Sequence, residues 1–352
     1  MKLDMGFYAG RRVFVTGHTG FKGAWMCRIL TDAGARVTGY ALPPGDPSLF
    51  EALHLESKMA SRFGDIHDLP RLLEAYEESQ PEIVFHLAAQ PLVREGYARP
   101  VDTFETNVMG TVHLLECMRK IPGARSLVNV TTDKVYENRE WAYPYRETDR
   151  LCGYDPYASS KSCSELVTSC YQNAFLKDLG VSVSTARAGN VIGGGDFAAD
   201  RMIPDCYRAA TRGESVVLRN PGSTRPYQHV LEPVCAYLLI ASRQYKIPSL
   251  AGCYNIGPEA EGCVCTRQLA ALFCDAWGPE ASFREEPEPN APRETNCLRL
   301  ECGKIKEALG WRPQWDIAAA VERTVEWYQT FASGGDVDAL TGRQIQEYLM
   351  ER

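Results

Sequence analysis

Tyr157 and Lys161 stand four residues apart in the stretch GYDPYASSK. On a helix that spacing puts both side chains on one face. An ammonium beside a phenol lowers its pKa, and a cationic nicotinamide lowers it further. The phenolate can then take a proton from a hydroxyl while hydride leaves the same carbon. Asp155-Pro156 just ahead reads as a helix start, with Tyr157 in the first turn. Y-x-x-x-K is common, so its meaning depends on what accompanies it.

Two other stretches accompany it. TTDKVYEN (131–138) sets Asp133 beside Lys134 at the end of an apolar run, SLVNVTT. Such a pair is ordinarily a solvated turn, but at the end of a buried strand it overlooks a reaction site. TGHTGFKG (16–23) carries Gly17, Gly20 and Gly23 in G-x-x-G-x-x-G spacing, with Thr19, Phe21 and Lys22 between and beside them. Glycines there let the backbone turn tightly and approach a pyrophosphate, which a helix N-terminus favours electrostatically. Lys22 reads as a phosphate contact or as a solvent-facing charge. The acid that holds an NAD ribose at the end of a second strand is absent: Tyr40 and Ala41 stand there. No arginine pair replaces it for a 2′-phosphate, so NAD is expected rather than NADP. Asp65 and Ile66 suit the adenine side. Leu87, Ala88, Ala89 and Gln90 suit the ribose and nicotinamide.

These residues need a scaffold that brings strand ends together. RRVFVTG, ARVTGYAL, PEIVFHLAAQ, ARSLVNVTTD and VSVSTARAGNV are short apolar runs; helix-like FKGAWMCRILTDAG follows the first, and helix-like sequence precedes PEIVFHLAAQ and ARSLVNVTTD but not VSVSTARAGNV. Strands alternating with helices predict a Rossmann-like, doubly wound parallel sheet of the α/β class. The alternation weakens after about residue 190, where GGGDF, RNPGSTRP and EEPEPNAP read as loops. The expected organisation is an NAD-binding domain over 1–187 and a smaller, mainly substrate-binding region over 188–352, partly interleaved with the first.

The bulk numbers narrow the function classes. The 352 residues are 45% hydrophobic, enough for a large core. A net charge of −7 argues against nucleic acid or an anionic membrane as partner. No leader-like or membrane-spanning apolar run occurs, so a cytoplasmic protein is expected. The 13 cysteines are odd in number and scattered, with Cys263 and Cys265 the closest pair; reduced thiols and no metal site are expected.

Taken together, TGHTGFKG, IVFHLAAQPLVR, TTDKVYENREW, GYDPYASSK, RAGNVIGGGD, RPYQHVLEP and LGWRP resemble the extended short-chain dehydrogenase/reductases that modify nucleotide sugars. The resemblance covers nearly the whole chain. The D-K pair and RAGNVIGGGD match the branch acting as CDP-glucose 4,6-dehydratases. It implies a hydro-lyase that oxidises C4 of CDP-glucose, eliminates water across C5 and C6, and returns the hydride to C6. It implies bound NAD and a homodimer or homotetramer; family members use the apolar helix faces near 105–120 and 157–176 for dimer contact, and core packing against the sheet explains those faces equally well. It implies Tyr157 and Lys161 as the redox pair, Thr132 orienting the C4 oxygen and Asp133 as a protonated acid. Where related dTDP-sugar dehydratases place a glutamate as C5 base, this chain has Lys134, either a neutral base or a charged stabiliser of the enolate. Asn190 is expected at the sugar nucleotide, with Arg201, Arg225, Arg293 and Arg299 as candidates for its diphosphate. His229 reads as structural. A 4-epimerase or reductase of the same superfamily is the rival enzyme, and an NAD-sensing scaffold the rival outside catalysis. Asp133 beside the threonine speaks against an epimerase, and the intact Thr132, Asp133, Tyr157 and Lys161 against a scaffold.

Overall fold

The computed structural model describes residues 3–141, 143–259, 262–286 and 298–350. Seven parallel strands form the central sheet: β1 (Arg12–Thr16), β2 (Arg36–Ala41), β3 (Ala60–Phe63), β4 (Ile83–His86), β5 (Ser126–Val130), β6 (Ser182–Ala188) and β10 (Cys253–Ile256), in the order β10-β6-β5-β4-β1-β2-β3. The chain runs outward from β1 to β3, returns to β4 beside β1, and then runs outward the other way. That reversal makes a crevice at the carboxyl ends of β1 and β4, where open α/β sheets place their ligands.

Strands buried on both faces carry unbroken apolar runs rather than alternation. β4 (IVFH) and β5 (SLVNV) are buried at every position. β3 (ASRF) is an exposed edge with alternating burial, too short and polar to stand out in the sequence. β6 also departs from expectation, since the helix Pro156–Tyr171 does precede it. The sheet is not confined to the first half. β10 pairs with β6, and the helix Leu231–Lys246, almost wholly buried, packs beneath β5 and β6.

The second half adds two small sheets, β11-β9-β7 and β12-β8, from β7 (Asn190–Ile192), β8 (Ser215–Leu218), β9 (Thr224–His229), β11 (Cys263–Cys265) and β12 (Ser282–Glu285). The stretch expected as a loop at RNPGSTRP is one only in part, because Thr224, Arg225 and Pro226 open β9. Buried Glu232 ties down the C-terminal segment, accepting the Gln314 and Trp315 amides and the Tyr348 hydroxyl.

Candidate active site

The glycine turn leaves β1 at Gly17, whose φ of +76° falls in the left-handed region. A Cβ at Gly17 would lie 2.7 Å from the Ala88 amide, and one at Gly23 would lie 2.1 Å from the Gly17 carbonyl oxygen. Only glycine lets the turn press against β4 and against its own helix. Gly20 caps the helix Phe21–Asp32 without a side chain, so the first-turn amides stay open to an anion. These residues fit a dinucleotide diphosphate.

The flanking cofactor candidates line the same crevice. Thr19 Oγ1 donates to the Leu42 carbonyl, and the Tyr40 hydroxyl donates to the Asp65 carbonyl at 2.9 Å. The Asp65 carboxylate accepts the His67 amide, and buried Ile66 packs on Gly110. Thr16 Oγ1 accepts the amides of Leu87 and Ala88. Beyond Ala89, Gln90 is braced by Asn107 and Thr103. Asn107 also donates to Ser160 Oγ at 2.9 Å, joining this floor to the tyrosine helix.

β5 ends at Val130, and Thr132 caps a single 3₁₀ turn, Asp133–Val135. Thr132 Oγ1 donates to Asp133 Oδ1 at 3.0 Å and accepts the Lys134 amide at 3.4 Å. Asp133 is 2% exposed, and burial raises its carboxyl above the ordinary carboxylate value, against the opposing charges of Lys134, Arg225 and Lys22. Lys134 is half-buried, and its ammonium makes no hydrogen bond or ion pair within 4 Å among the described residues. It faces Asp133 without bonding to it.

Asp155 accepts the Ala158 amide at 2.9 Å and Pro156 takes the first helical position, which sets Tyr157 in the first turn of Pro156–Tyr171. Burial pushes the Tyr157 phenol up to about 12; the Thr132 hydroxyl and Arg201 favour the phenolate, and Asp133 disfavours it. Lys161 is buried and donates to the Val130 carbonyl at 3.2 Å. Burial, and then the charge of Lys22, lowers Lys161 to about 8, while Glu165 opposes this.

Glu165, one further turn along the same helix face, went unnoticed in the sequence. It accepts Thr131 at 2.6 Å and Thr185 at 2.7 Å and forms an ion pair with Arg187 at 2.9 Å, each partner 2% exposed. Arg187 also donates to the Tyr136 hydroxyl and the Glu147 carbonyl. Tyr157, Lys161 and Glu165 at positions i, i+4 and i+8 was the readable signal.

The second half closes over this pocket. Asn190 opens β7, beside Tyr227 of β9. Arg201 bonds to buried Asp196 at 2.8 Å and lies near Tyr157. Burial disfavours the Arg201 charge, but Asp196 outweighs it and raises the guanidinium pKa. Arg225, buried on β9, faces Asp133. Arg299 is exposed, and its carbonyl accepts the Tyr145 amide. Arg293 lies outside the described residues. His229 is packed edge-on against Trp25 and Trp315, and burial lowers it to about 3. Asp196 was not singled out in the sequence either, although it ends the quoted RAGNVIGGGD.

This geometry has close counterparts. Residues 14–324 match the family described as GDP-mannose 4,6 dehydratase. The chain belongs to that family, within the extended short-chain dehydrogenase/reductases. A CDP-glucose 4,6-dehydratase of Salmonella typhimurium is 45% identical over 99% of this chain and 98% of its own. A dTDP-glucose 4,6-dehydratase of Streptomyces antibioticus is 30% identical over 76% of this chain and 75% of its own. Among solved structures, a dTDP-glucose 4,6-dehydratase of Streptomyces venezuelae with NAD bound superimposes with a TM-score of 0.79 at 25% identity, covering 94% of this chain and 99% of that one. A UDP-glucose 4-epimerase of Thermus thermophilus in complex with NAD gives 0.78 at 26% identity, covering 90% and 99%. A dehydratase and an epimerase thus share this scaffold.

Proposed function

We propose that this protein is an NAD-dependent CDP-glucose 4,6-dehydratase, converting CDP-glucose to CDP-4-keto-6-deoxyglucose. The observation that carries the reading is a buried Asp133, bonded to Thr132 and near Tyr157, whose carboxyl burial raises above the ordinary carboxylate value. An epimerase needs no acid there, and the full-length dehydratase relative points the same way.

Bound NAD supplies the hydride acceptor for C4 and the donor for C6. The glycine turn, with Gly17, Gly20 and Gly23, holds its diphosphate; Asp65 and Ile66 hold the adenine side, and Leu87 to Gln90 the ribose and nicotinamide. Tyr157 takes the C4 hydroxyl proton, with Lys161 supporting the phenolate and Thr132 orienting the oxygen. The 4-ketone acidifies the hydrogen on C5. Asp133 gives its proton to the C6 hydroxyl, which leaves as water. Lys134 serves the C5 step: as a neutral amine it takes the C5 proton and returns it to C5 when hydride comes back to C6, or as an ammonium it stabilises the enolate while another base takes and returns that proton. Asn190, Arg201 and Arg225 face the sugar nucleotide, and Arg299 stands at the outer edge.

Residues 1–187 form the cofactor domain in this reading, and 188–352 the substrate region, interleaved through β10 and the helix Leu231–Lys246. Among the described residues no helix is long and apolar enough to cross a membrane, in keeping with a cytoplasmic enzyme. Exposed Val101, Phe104 and Met109 line one apolar surface beside the helices expected at the subunit contact, and a homodimer or homotetramer would cover it.

The test is side-by-side turnover of CDP-, dTDP-, UDP- and GDP-glucose with NAD. A 4-keto-6-deoxy product from the cytidine substrate is expected. A C4 epimer without keto sugar would overturn the reading.

A further inference from the structure

The acid sits on the short turn Asp133–Val135, and the anchors of that turn lie at its two ends. On the near side, the Thr131 amide donates to the Ala186 carbonyl at 2.9 Å, and the Thr131 hydroxyl donates to Glu165 Oε1 at 2.6 Å. On the far side, the Val135 carbonyl accepts the Ser162 hydroxyl at 2.8 Å. There too the Tyr136 hydroxyl accepts Arg187 Nη1 at 2.8 Å and donates to Asn255 of β10 at 2.6 Å.

Glu165 reaches both ends. Its Oε1 accepts Thr131 and Arg187 Nε, and its Oε2 accepts Thr185 and Arg187 Nη2, all between 2.6 and 2.9 Å. Arg187 is therefore held by a two-pronged pair, which fixes its direction as well as its position. From there its other nitrogen reaches Tyr136 and the Glu147 carbonyl. Glu165 also shares the helix Pro156–Tyr171 with Tyr157, and Lys161 between them holds the Val130 carbonyl at 3.2 Å. One helix thus carries the base and grips the end of β5 at two consecutive residues, Val130 and Thr131.

We propose that Glu165 is a positioning residue for elimination. Bonded to Thr131 directly and to Tyr136 through Arg187, it fixes the turn that bears Asp133 and Lys134 relative to Tyr157. C4 oxidation draws on this turn for Thr132 alone, whereas elimination draws on it for Asp133 and Lys134. A small displacement of a reacting group costs a large factor in rate, so a loosened turn penalises elimination more. This purpose rests on the dehydratase reading; the anchoring of the turn does not.

Thr131→Val tests it by deleting the direct bond while leaving the ion pair and the reacting groups in place. With CDP-glucose, elimination should fall about tenfold more than C4 oxidation, so that NADH builds up in stopped flow. Thr131→Ser should restore the parent trace, and Glu165→Gln, which loosens both ends, should accumulate at least as much NADH as Thr131→Val. Hydrogen exchange read by mass spectrometry needs no substrate. Amides 132–136 should exchange faster in Thr131→Val than in the parent or in Thr131→Ser, while β1 and β4 stay protected. Equal loss of both half-reactions in folded Thr131→Val, or no loss, overturns the inference. If the parent chain forms no keto sugar, exchange decides alone. Faster exchange then keeps the anchoring and removes the dehydratase reading, and unchanged exchange overturns the anchoring as well.

Discussion

Thr132 Oγ1 donates to Asp133 Oδ1 at 3.0 Å at the end of β5, and the same hydroxyl favours the phenolate of Tyr157. One hydroxyl therefore bonds to the acid and favours the ionised form of the base in the proposed reaction. Breaking the two half-reactions apart tests that arrangement.

Asp133→Asn keeps the shape and the Thr132 hydrogen bond but removes the proton. Elimination should fall by roughly 10²–10⁴-fold, the usual range for a general acid. C4 oxidation should persist, so NADH absorbance should accumulate. Equal loss of both steps would place Asp133 elsewhere in the mechanism.

Stability should move the other way. Asp133 has its folded value raised above the ordinary 3.8, so it binds its proton more tightly folded than unfolded. Its full contribution is present below 3.8 and is lost as pH rises through the raised folded value. Asn incurs no such loss. At pH 7 the variant should melt no lower than the parent chain, measured by calorimetry, with the difference vanishing in acid.

Lys134→Met removes the lysine that faces the acid without bonding to it. Elimination should slow by about tenfold or more, as for loss of one electrostatic stabiliser, while C4 oxidation changes less. Transient NADH in stopped flow is the readout, and unchanged turnover would take Lys134 out of the mechanism. A substrate deuterated at C4 should carry its label to C6 of the product in the parent enzyme.

Burial, with the Asp133 charge adding to it, raises the Tyr157 phenol to about 12. Phenolate absorbance near 295 nm, taken as the difference from Tyr157→Phe, should therefore be absent at pH 9 in cofactor-free protein. It should appear at that pH once NAD is added, because a nearby cation favours the phenolate.

The Arg187–Glu165 pair supports Thr131, the residue before Thr132. Arg187→Met leaves Glu165 buried without its ion-pair partner and should cost about 3–5 kcal/mol by denaturant unfolding. A cost below about 1 kcal/mol, the value of a surface pair, would mean that the carboxylate finds water.

Much of this protein was legible in one dimension. The strand ends at Thr16, His86 and Val130, and the Asp155-Pro156 helix start, follow from apolar runs and local turn chemistry. The Gly17 turn and the 157/161 spacing follow from steric and helical rules that act over a few residues. Edge strand β3 lacked that signal because its burial comes from one side only, and the tilt of β10 into the sheet depends on a pairing partner some 70 residues away.

The sequence alone therefore determined the alternating α/β order and the glycine turn, and it supplied the candidate acid, the candidate base and the two lysines near them. It did not determine where the lysines point. Phe21 and Trp25 dock on Gly193 and Gly194, and Lys161 bonds to Val130 because the helix lies across the end of β5. Spacing orders side chains along one element, but the charge each one meets depends on which other elements pack against it.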